Sequence, residues 1–167
     1  MTRAVFGWRP GRRLRLQPAC FVTPAGSPPA ARDEISAMMR LLEMTSGPVV
    51  SELSPLLDRI RAGDFGLLHI ACHNTFGPAD GSSILFDGQE LLATAAIRQT
   101  LARTGPLVFI NACRSAGMAA GYHHLDGWAT KFLQAGAAAF IGSLWAVRDE
   151  TARQPAGHHR TGYGRQA

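Results

Sequence analysis

Lysine is almost absent from this sequence, because Lys131 is the only one among 17 basic residues. The net charge of +5 therefore comes from arginine, and much of it is concentrated at the start of the chain. The remainder is nearly balanced in charge, so the high pI says little about a folded core. The arginines of the first fifteen residues are Arg3, Arg9, Arg12, Arg13 and Arg15.

Residues 1–27 combine these arginines with many prolines and glycines. Such a composition is typical of a segment that cannot bury enough apolar surface to fold. We predict a disordered basic arm, or the remnant of something longer. Contact of the arm with nucleic acid or an acidic surface is the less favoured alternative.

Cysteines and long apolar stretches are also few. The three cysteines, Cys20, Cys72 and Cys113, are an odd number without the spacing of a disulfide scaffold. Reduced thiols and a cytoplasmic localisation are therefore expected. No apolar stretch approaches the ~18 residues of a membrane span. The first arginines precede no continuous apolar segment, so we expect no signal peptide and no membrane partner.

Three short apolar runs are bounded by glycine or proline and are typical of buried strands. They are "FGLLHIAC" at 65–72, "PLVFINAC" at 106–113 and "AAAFIGSLW" at 137–145. Apolar residues at helical spacing predict helices at 31–44, 54–63, 91–106 and 126–136. Strands that are apolar throughout and alternate with helices predict one α/β domain with a parallel sheet covered on both faces.

Local signals mark where these elements turn or end. Gly47-Pro48 is expected to end the first helix, and Ser54 to cap the second, with Pro55 at its first position and Gly63 as its stop. Asp87-Gly88, between two apolar flanks, predicts a tight hairpin.

Polar residues follow two of the predicted strands. His73 and Asn74 come after the first strand, and Cys113 comes after the second. Because the carboxyl ends of parallel strands meet at one edge of a sheet, these residues are expected to lie close together. A thiolate can attack a carbonyl, and an imidazole can accept the proton of the thiol to form that thiolate. We therefore predict Cys113 as nucleophile and His73 as acid/base, with the backbone N–H groups of Cys113 and Asn74 as oxyanion donors.

Other interpretations of these residues are weaker. A free cysteine is often simply buried, which is the plain alternative for Cys113 and the favoured one for Cys72. His69, Cys72 and His73 could suggest a metal site, but His69 and His73 lie ~13 Å apart along a strand. We expect no metal and no cofactor, and interpret His69 as a packed strand residue, hydrogen-bonded near the site.

Three blocks of this sequence resemble the CHAT family, which is related to caspases and separase. They are "LLHIACHN", "FINACRSAG" and "LQAGAAAFIGSLWAVRDE", in this order at fitting distances. The resemblance covers about residues 28–152. The "ACR" core also resembles the caspase signature, with Asn111 in place of Gln and Ser115 in place of Gly. The resemblance implies a caspase-like three-layer sandwich with a mostly parallel central sheet.

The resemblance also implies roles for individual residues. The family's catalytic histidine falls on His73 and its cysteine on Cys113. Glycine usually follows that histidine, whereas Asn74 here brings a side chain towards the oxyanion site. Trp145 matches a tryptophan near the substrate groove. Asp149 matches an acidic position that, in separase-like relatives, lies beside the pocket for a basic P1 side chain.

The function that the resemblance implies is a cysteine endopeptidase acting on a protein substrate in microbial signalling or defence. Repeat or sensor modules would be its partners, and nucleic acid is not an expected one. The alternative is a catalytically inactive or truncated CHAT-like interaction module. Residues 153–167 stand where the family continues with a long helix and often a strand, so the resemblance implies a truncated domain that ends in an irregular tail.

Overall fold

The computed structural model describes residues 3–6, 13–45, 47–77, 81–86, 88–92, 101–113, 115, 119–120 and 125–144. A six-stranded sheet forms the centre of this part of the chain, in the order β1-β11-β8-β4-β2-β3. All neighbours are parallel except β1, which pairs antiparallel with β11. The six strands are β1 (Arg3–Phe6), β2 (Ala19–Val22), β3 (Val49–Val50), β4 (Leu67–Ala71), β8 (Leu107–Asn111) and β11 (Ala139–Ser143).

Two small antiparallel sheets accompany the central one. The first is formed by β5 (Thr75–Gly77), β6 (Gly81–Phe86) and β7 (Gln89–Leu92). Phe86 pairs with Gln89 and Gly88 has φ +79°, which confirms the predicted hairpin, although Asp87 itself is outside the described residues. The second sheet pairs β9 (Ala119–Ala120) with β10 (Leu125–Asp126).

The described helices are α1 (Ala31–Leu41), α2 (Leu53–Ala62) and α3 (Trp128–Gln134). The predicted end of α1 at Gly47-Pro48 is too late, since the helix ends at Leu41 and the left-handed Glu43 follows its C-cap, Leu42. The predicted cap of α2 is also displaced, because Glu52 is the N-cap. Gly63 ends α2 as predicted, with φ +58°. Of the helix predicted at 91–106, residues 93–100 lie outside the described residues, while Leu91 and Leu92 belong to β7.

The central sheet carries a hydrophobic core on each face. Alternate residues of a strand point to opposite faces, and here both sets are buried. On one face, α1 packs through Ile35 against Phe21 and Leu67. On the other face, α2, α3 and the β6–β7 hairpin cover the sheet. This arrangement confirms the predicted α/β sandwich with a mostly parallel sheet. The second core includes Leu56, Ile60, Leu68, Ile70, Ile84, Phe86, Val108, Ile110, Trp128 and Phe132.

The predicted arm of residues 1–27 contributes two strands to the central sheet, of which Arg3–Phe6 is one. Ala19–Val22 form the inner strand β2, between β3 and β4, with all four residues buried. Phe21 is fully buried and pairs with His69. Only four apolar residues stand here between Pro18 and Thr23. Such a short run shows no periodicity. The prediction of a disordered arm therefore followed from the surrounding prolines and arginines.

Helix α3 ends at a glycine cap. The N–H of Gly136 donates to Leu133 O at 3.1 Å, and the N–H of Ala137 donates to Phe132 O at 3.0 Å. This pair of bonds is the Schellman arrangement, which needs a left-handed residue, and Gly136 has φ +106°. Trp128 and Phe132 of this helix are buried, and Leu133 is partly buried against the same core. None of the helices described is long and apolar enough to cross a membrane.

Candidate active site

The two strand ends predicted to carry the chemistry are neighbours in the sheet. Strands β4 and β8 pair in parallel, and Ala71, the last residue of β4, is opposite Asn111, the last residue of β8. The backbone N–H of Cys72 extends the pairing by donating to Asn111 O at 3.4 Å. His73 and Cys113 therefore leave the sheet side by side, at its carboxyl edge.

One cleft at this edge is lined by both His73 and Cys113. His73 is exposed, whereas Cys113 is half-buried and forms no disulfide. The start of α1 forms the opposite wall, through Ala31 and Glu34. A thiol and an imidazole that share a cleft meet the first requirement of a nucleophile and its base, which is access to the same bound group. Their roles stay predictions.

The side chain of Asn74 links the two strand ends. Its Nδ2 donates to the carbonyl oxygen of Cys113 at 3.0 Å, and its Oδ1 accepts from the indole N–H of Trp128 at 2.9 Å. These two partners, a carbonyl and an N–H, fix which way the amide points. Asn74 is absent from the cleft lining in the described part of the chain. The side chain that replaces the family glycine is thus turned towards the Cys113 loop and α3, and its backbone role as an oxyanion donor stays a prediction.

Ser115 holds the same loop from the other side. This residue is fully buried, its Oγ donates to Ile110 O at 2.7 Å, and it accepts from the backbone N–H of Ser143 at 2.9 Å. A glycine, which the caspase signature has at this position, could make neither bond. The serine therefore links the turn after β8 to the end of β11. The loop that carries Cys113 is thus held by the bonds of Ser115 and by the bond from Asn74.

A polar cluster at the wall of the cleft was not predicted from the sequence. The Oε2 atom of Glu34 accepts from Asn111 Nδ2 at 2.6 Å, and its Oε1 atom lies 3.1 Å from His69 Nε2. His69 is fully buried, and the described residues provide neither ring nitrogen with a well-aligned hydrogen bond. The contact between His69 and Glu34 is therefore a close approach of two polar groups without hydrogen-bond geometry.

Only one feature of the sequence pointed to this cluster. His69 interrupts an otherwise apolar strand, and a buried polar side chain requires a partner. The partner, Glu34, is on a helix in a distant part of the sequence. No short motif connects them, so residue spacing could not identify Glu34.

The pKa values of the other two thiols differ from that of a free cysteine. Burial, and then the negative charge of Glu34, raise the pKa of the Cys72 thiol, and Cys113 adds to the effect. Burial also raises the pKa of Cys20, which Arg59 partly offsets. Both side chains are buried, which confirms that Cys72 belongs to the core. A thiol that holds its proton is a poor nucleophile, so we expect Cys72 and Cys20 to react slowly.

The two remaining predicted site residues, Trp145 and Asp149, lie outside the described residues. Their assignment to the substrate pocket stays a prediction. The described residues contain no group of three or more His, Cys, Asp or Glu side chains that could hold a metal ion.

Comparison with known proteins identifies the family. No curated protein and no solved structure matches the chain. The family model of the CHAT domain matches residues 16–158, which are most of the chain and include β2. CHAT domains are a caspase-like, peptidase-related family, in agreement with the sheet and the strand-end cleft described above. The chain therefore belongs to the CHAT domain family.

Proposed function

We propose that this protein is a cysteine endopeptidase of the CHAT type, with Cys113 as the nucleophile and His73 as its acid/base. The observation that carries the proposal is the single cleft lined by both side chains, at paired ends of β4 and β8. Adjacent strands of a buried sheet hold two groups in a fixed geometry, which an acyl transfer requires. The bonds of Asn74 and Ser115 restrain the Cys113 loop further.

The proposed reaction proceeds in two halves. His73 takes the thiol proton, and the sulfur of Cys113 attacks the scissile carbonyl carbon to form a tetrahedral oxyanion. The backbone N–H groups of Cys113 and Asn74 stabilise this oxyanion. His73 then gives its proton to the leaving amine, and the C–N bond breaks to leave a thioester. Water attacks the thioester with its proton passing to His73, the C–S bond breaks, and that proton returns to the sulfur.

The substrate in this proposal is a protein, cleaved in microbial signalling or defence with repeat or sensor modules as partners. A basic P1 residue beside Trp145 and Asp149 is part of the same proposal, by analogy with separase-like relatives. The second candidate function is an inactive interaction module. The observation favouring it is the exposure of His73, for which no hydrogen bond is found among the described residues.

The test is labelling of the purified full chain by a peptide electrophile with Arg at P1. We expect labelling of the wild type, its complete loss in Cys113→Ala and a steep decrease in His73→Ala. Cys72→Ala and Cys20→Ala, which remove buried thiols, are the matched controls and should stay labelled. If a folded chain, checked by circular dichroism, is unlabelled and Cys113 reacts with iodoacetamide no faster than a free thiol, the enzyme proposal fails.

A further inference from the structure

A second cavity lies at the edge of the central sheet opposite to the one that carries Cys113. Its lining includes Pro18, Gly66 and Thr104, which stand shortly before β2, β4 and β8, so it is at the amino ends of three parallel strands. The volume of this cavity is about 450 Å³. Small-molecule sites in proteins usually enclose about 300–1,000 Å³, so there is room for a compact ligand.

The lining of this amino-edge cavity is basic. Arg13, Arg15 and Arg103 contribute to it, and no aspartate or glutamate does so among the described residues. All three arginines are exposed, and none of them takes part in an ion pair within the described part of the chain. The acid next to the lining in sequence, Asp64, pairs with Arg59 instead. Three positive charges around one concave site, without a counter-charge, attract an anion.

The backbone that carries Arg15 is held against the sheet. A Cβ atom on Gly66 would lie 2.8 Å from the carbonyl carbon of Arg15 and 3.2 Å from Gln17 O, so this segment passes directly over the residue before β4. The N–H of Gly66 donates to Pro18 O at 2.8 Å and holds the same segment one residue before β2. The part of the basic N-terminal segment that lines the cavity is therefore positioned by contacts with the sheet.

The third arginine comes from the segment before β8. Its Nη2 atom donates to Ala62 O at 3.2 Å, and the hydroxyl of the next residue, Thr104, donates to Gly63 O at 3.0 Å. These bonds position the side chain of Arg103 but leave its charge uncompensated, because a carbonyl oxygen is neutral. A guanidinium has five N–H donors, so a single bond to a carbonyl leaves it able to bind a second group.

The lining favours a compact anion over a nucleic-acid strand. Proteins that bind single strands combine a positive groove with aromatic side chains on which the bases stack. Phe65 is the one aromatic residue in the described lining and is 0% exposed, so no base can stack on it. Guanidinium groups, in contrast, match the oxygens of a phosphate with paired N–H donors.

We propose that Arg13, Arg15 and Arg103 form an anion-binding site at the amino edge of the sheet, and that its ligand is a small molecule with a di- or triphosphate group. The site is separate from the cleft of His73 and Cys113, and it does not depend on the proposed peptidase activity. A ligand held by all three arginines joins the segment before β2 to the segment before β8. Its binding therefore stabilises the folded chain.

The test is calorimetric titration of inorganic triphosphate onto the full chain. Arg13→Gln, Arg15→Gln and Arg103→Gln each remove one charge and keep a polar side chain. Arg32→Gln is the matched control, because Arg32 is an exposed arginine of α1 that does not line the cavity. Citrate, a compact anion without phosphate, is the ligand control. ATP and a short single-stranded oligonucleotide are titrated in parallel.

We expect one triphosphate to bind per chain, and each substitution in the cavity to weaken binding about 10- to 100-fold, the range for a hydrogen bond to a charged group. Arg32→Gln should leave the affinity nearly unchanged. Triphosphate should also raise the thermal unfolding temperature of the wild type and of Arg32→Gln, and raise that of the cavity variants much less. Circular dichroism without ligand checks that each variant is folded.

Four results would overturn the site. They are no binding of triphosphate or ATP to the folded wild type, equal weakening by Arg32→Gln and by the cavity substitutions, citrate binding as tight as that of triphosphate, and tighter binding of the oligonucleotide through the same arginines. Binding of ATP that depends on the three arginines supports the site. If ATP binds more tightly than inorganic triphosphate, a nucleotide is the source of the phosphates, and the reverse order identifies an inorganic oligophosphate. None of these results depends on whether Cys113 is labelled.

Discussion

At the scale of single residues, Asn74 has the most informative environment. A side chain at this position could have obstructed the proposed oxyanion site, but it is instead bonded to the Cys113 carbonyl and the Trp128 indole. Trp128 is only 1% exposed, so its N–H depends on this acceptor. The same bonds restrain the strand end on which Cys113 lies.

Replacement of Asn74 by alanine should therefore destabilise the fold. We expect a loss of about 1–3 kcal/mol in the free energy of unfolding, because the buried indole N–H loses its partner. Urea denaturation measures the loss. Trp128→Phe, which removes the donor, is the matched variant, and the double variant should show a coupling above about 0.5 kcal/mol. Additive effects of the two changes would show that the bond contributes nothing to stability.

Cys72 should make stability depend on alkaline pH. Its pKa is raised in the folded state, so on raising the pH the unfolded chain loses the thiol proton first, near ~8.5. Below that pH the protonated Cys72 thiol makes its full contribution to the free energy of unfolding. As the pH rises, this contribution is lost by up to about 1.4 kcal/mol per pH unit. Unfolding free energies between pH 8 and pH 10 should fall less steeply for Cys72→Ala than for the wild type. An unchanged slope would contradict the assignment.

At the scale of secondary-structure elements, the turn after α3 depends on close contact with a neighbouring segment. Gly136 has φ +106°, and a Cβ atom there would lie 2.6 Å from Ala102 N and 2.7 Å from Ala102 Cα. Both backbone conformation and space therefore exclude a side chain. Gly26 has φ +77° but nothing within 4 Å of its added Cβ.

These two glycines make a matched pair. Gly26→Ala should cost only the conformational strain, on the order of 1 kcal/mol. Gly136→Ala should cost clearly more, because the backbone of residue 102 must move as well. Denaturant unfolding of both variants gives the difference, which isolates the steric contribution. Equal losses would mean that the α3 turn can separate from Ala102 without cost.

The strands and helices differ in how far the sequence could predict them. Strands β4, β8 and β11 were predictable because each is a continuous apolar run with glycine or proline at its boundary. Strand β2 was not, since four residues among prolines carry no pattern. That His73 and Cys113 line one cleft could be predicted because both residues closely follow predicted strands. Glu34 could not, because its contact with Asn111 depends on how α1 packs on the sheet, which is tertiary structure.

At the scale of the whole molecule, the central position of β2 makes the N-terminal part of the chain essential to the core. Phe21→Ala should lower the free energy of unfolding by about 3–5 kcal/mol, the usual cost of removing a buried phenyl ring. Val49→Ala, on the edge strand β3 where Val49 is 42% exposed, is the control and should cost less than about 1 kcal/mol. Thermal or urea unfolding measures both. A small loss at Phe21 would mean that β2 is not part of the stable sheet.

The pairing of β1 with β11 has a consequence for biosynthesis. Arg3 is opposite Ser143, so nearly all of the described chain separates the two partners. At ordinary elongation rates the ribosome therefore releases β11 on the order of ten seconds after β1. Until then β11 is missing and β1 has no partner in the nascent polypeptide. The timing of translation, rather than any local preference of β1, therefore determines when β1 can pair with β11 at this edge of the sheet.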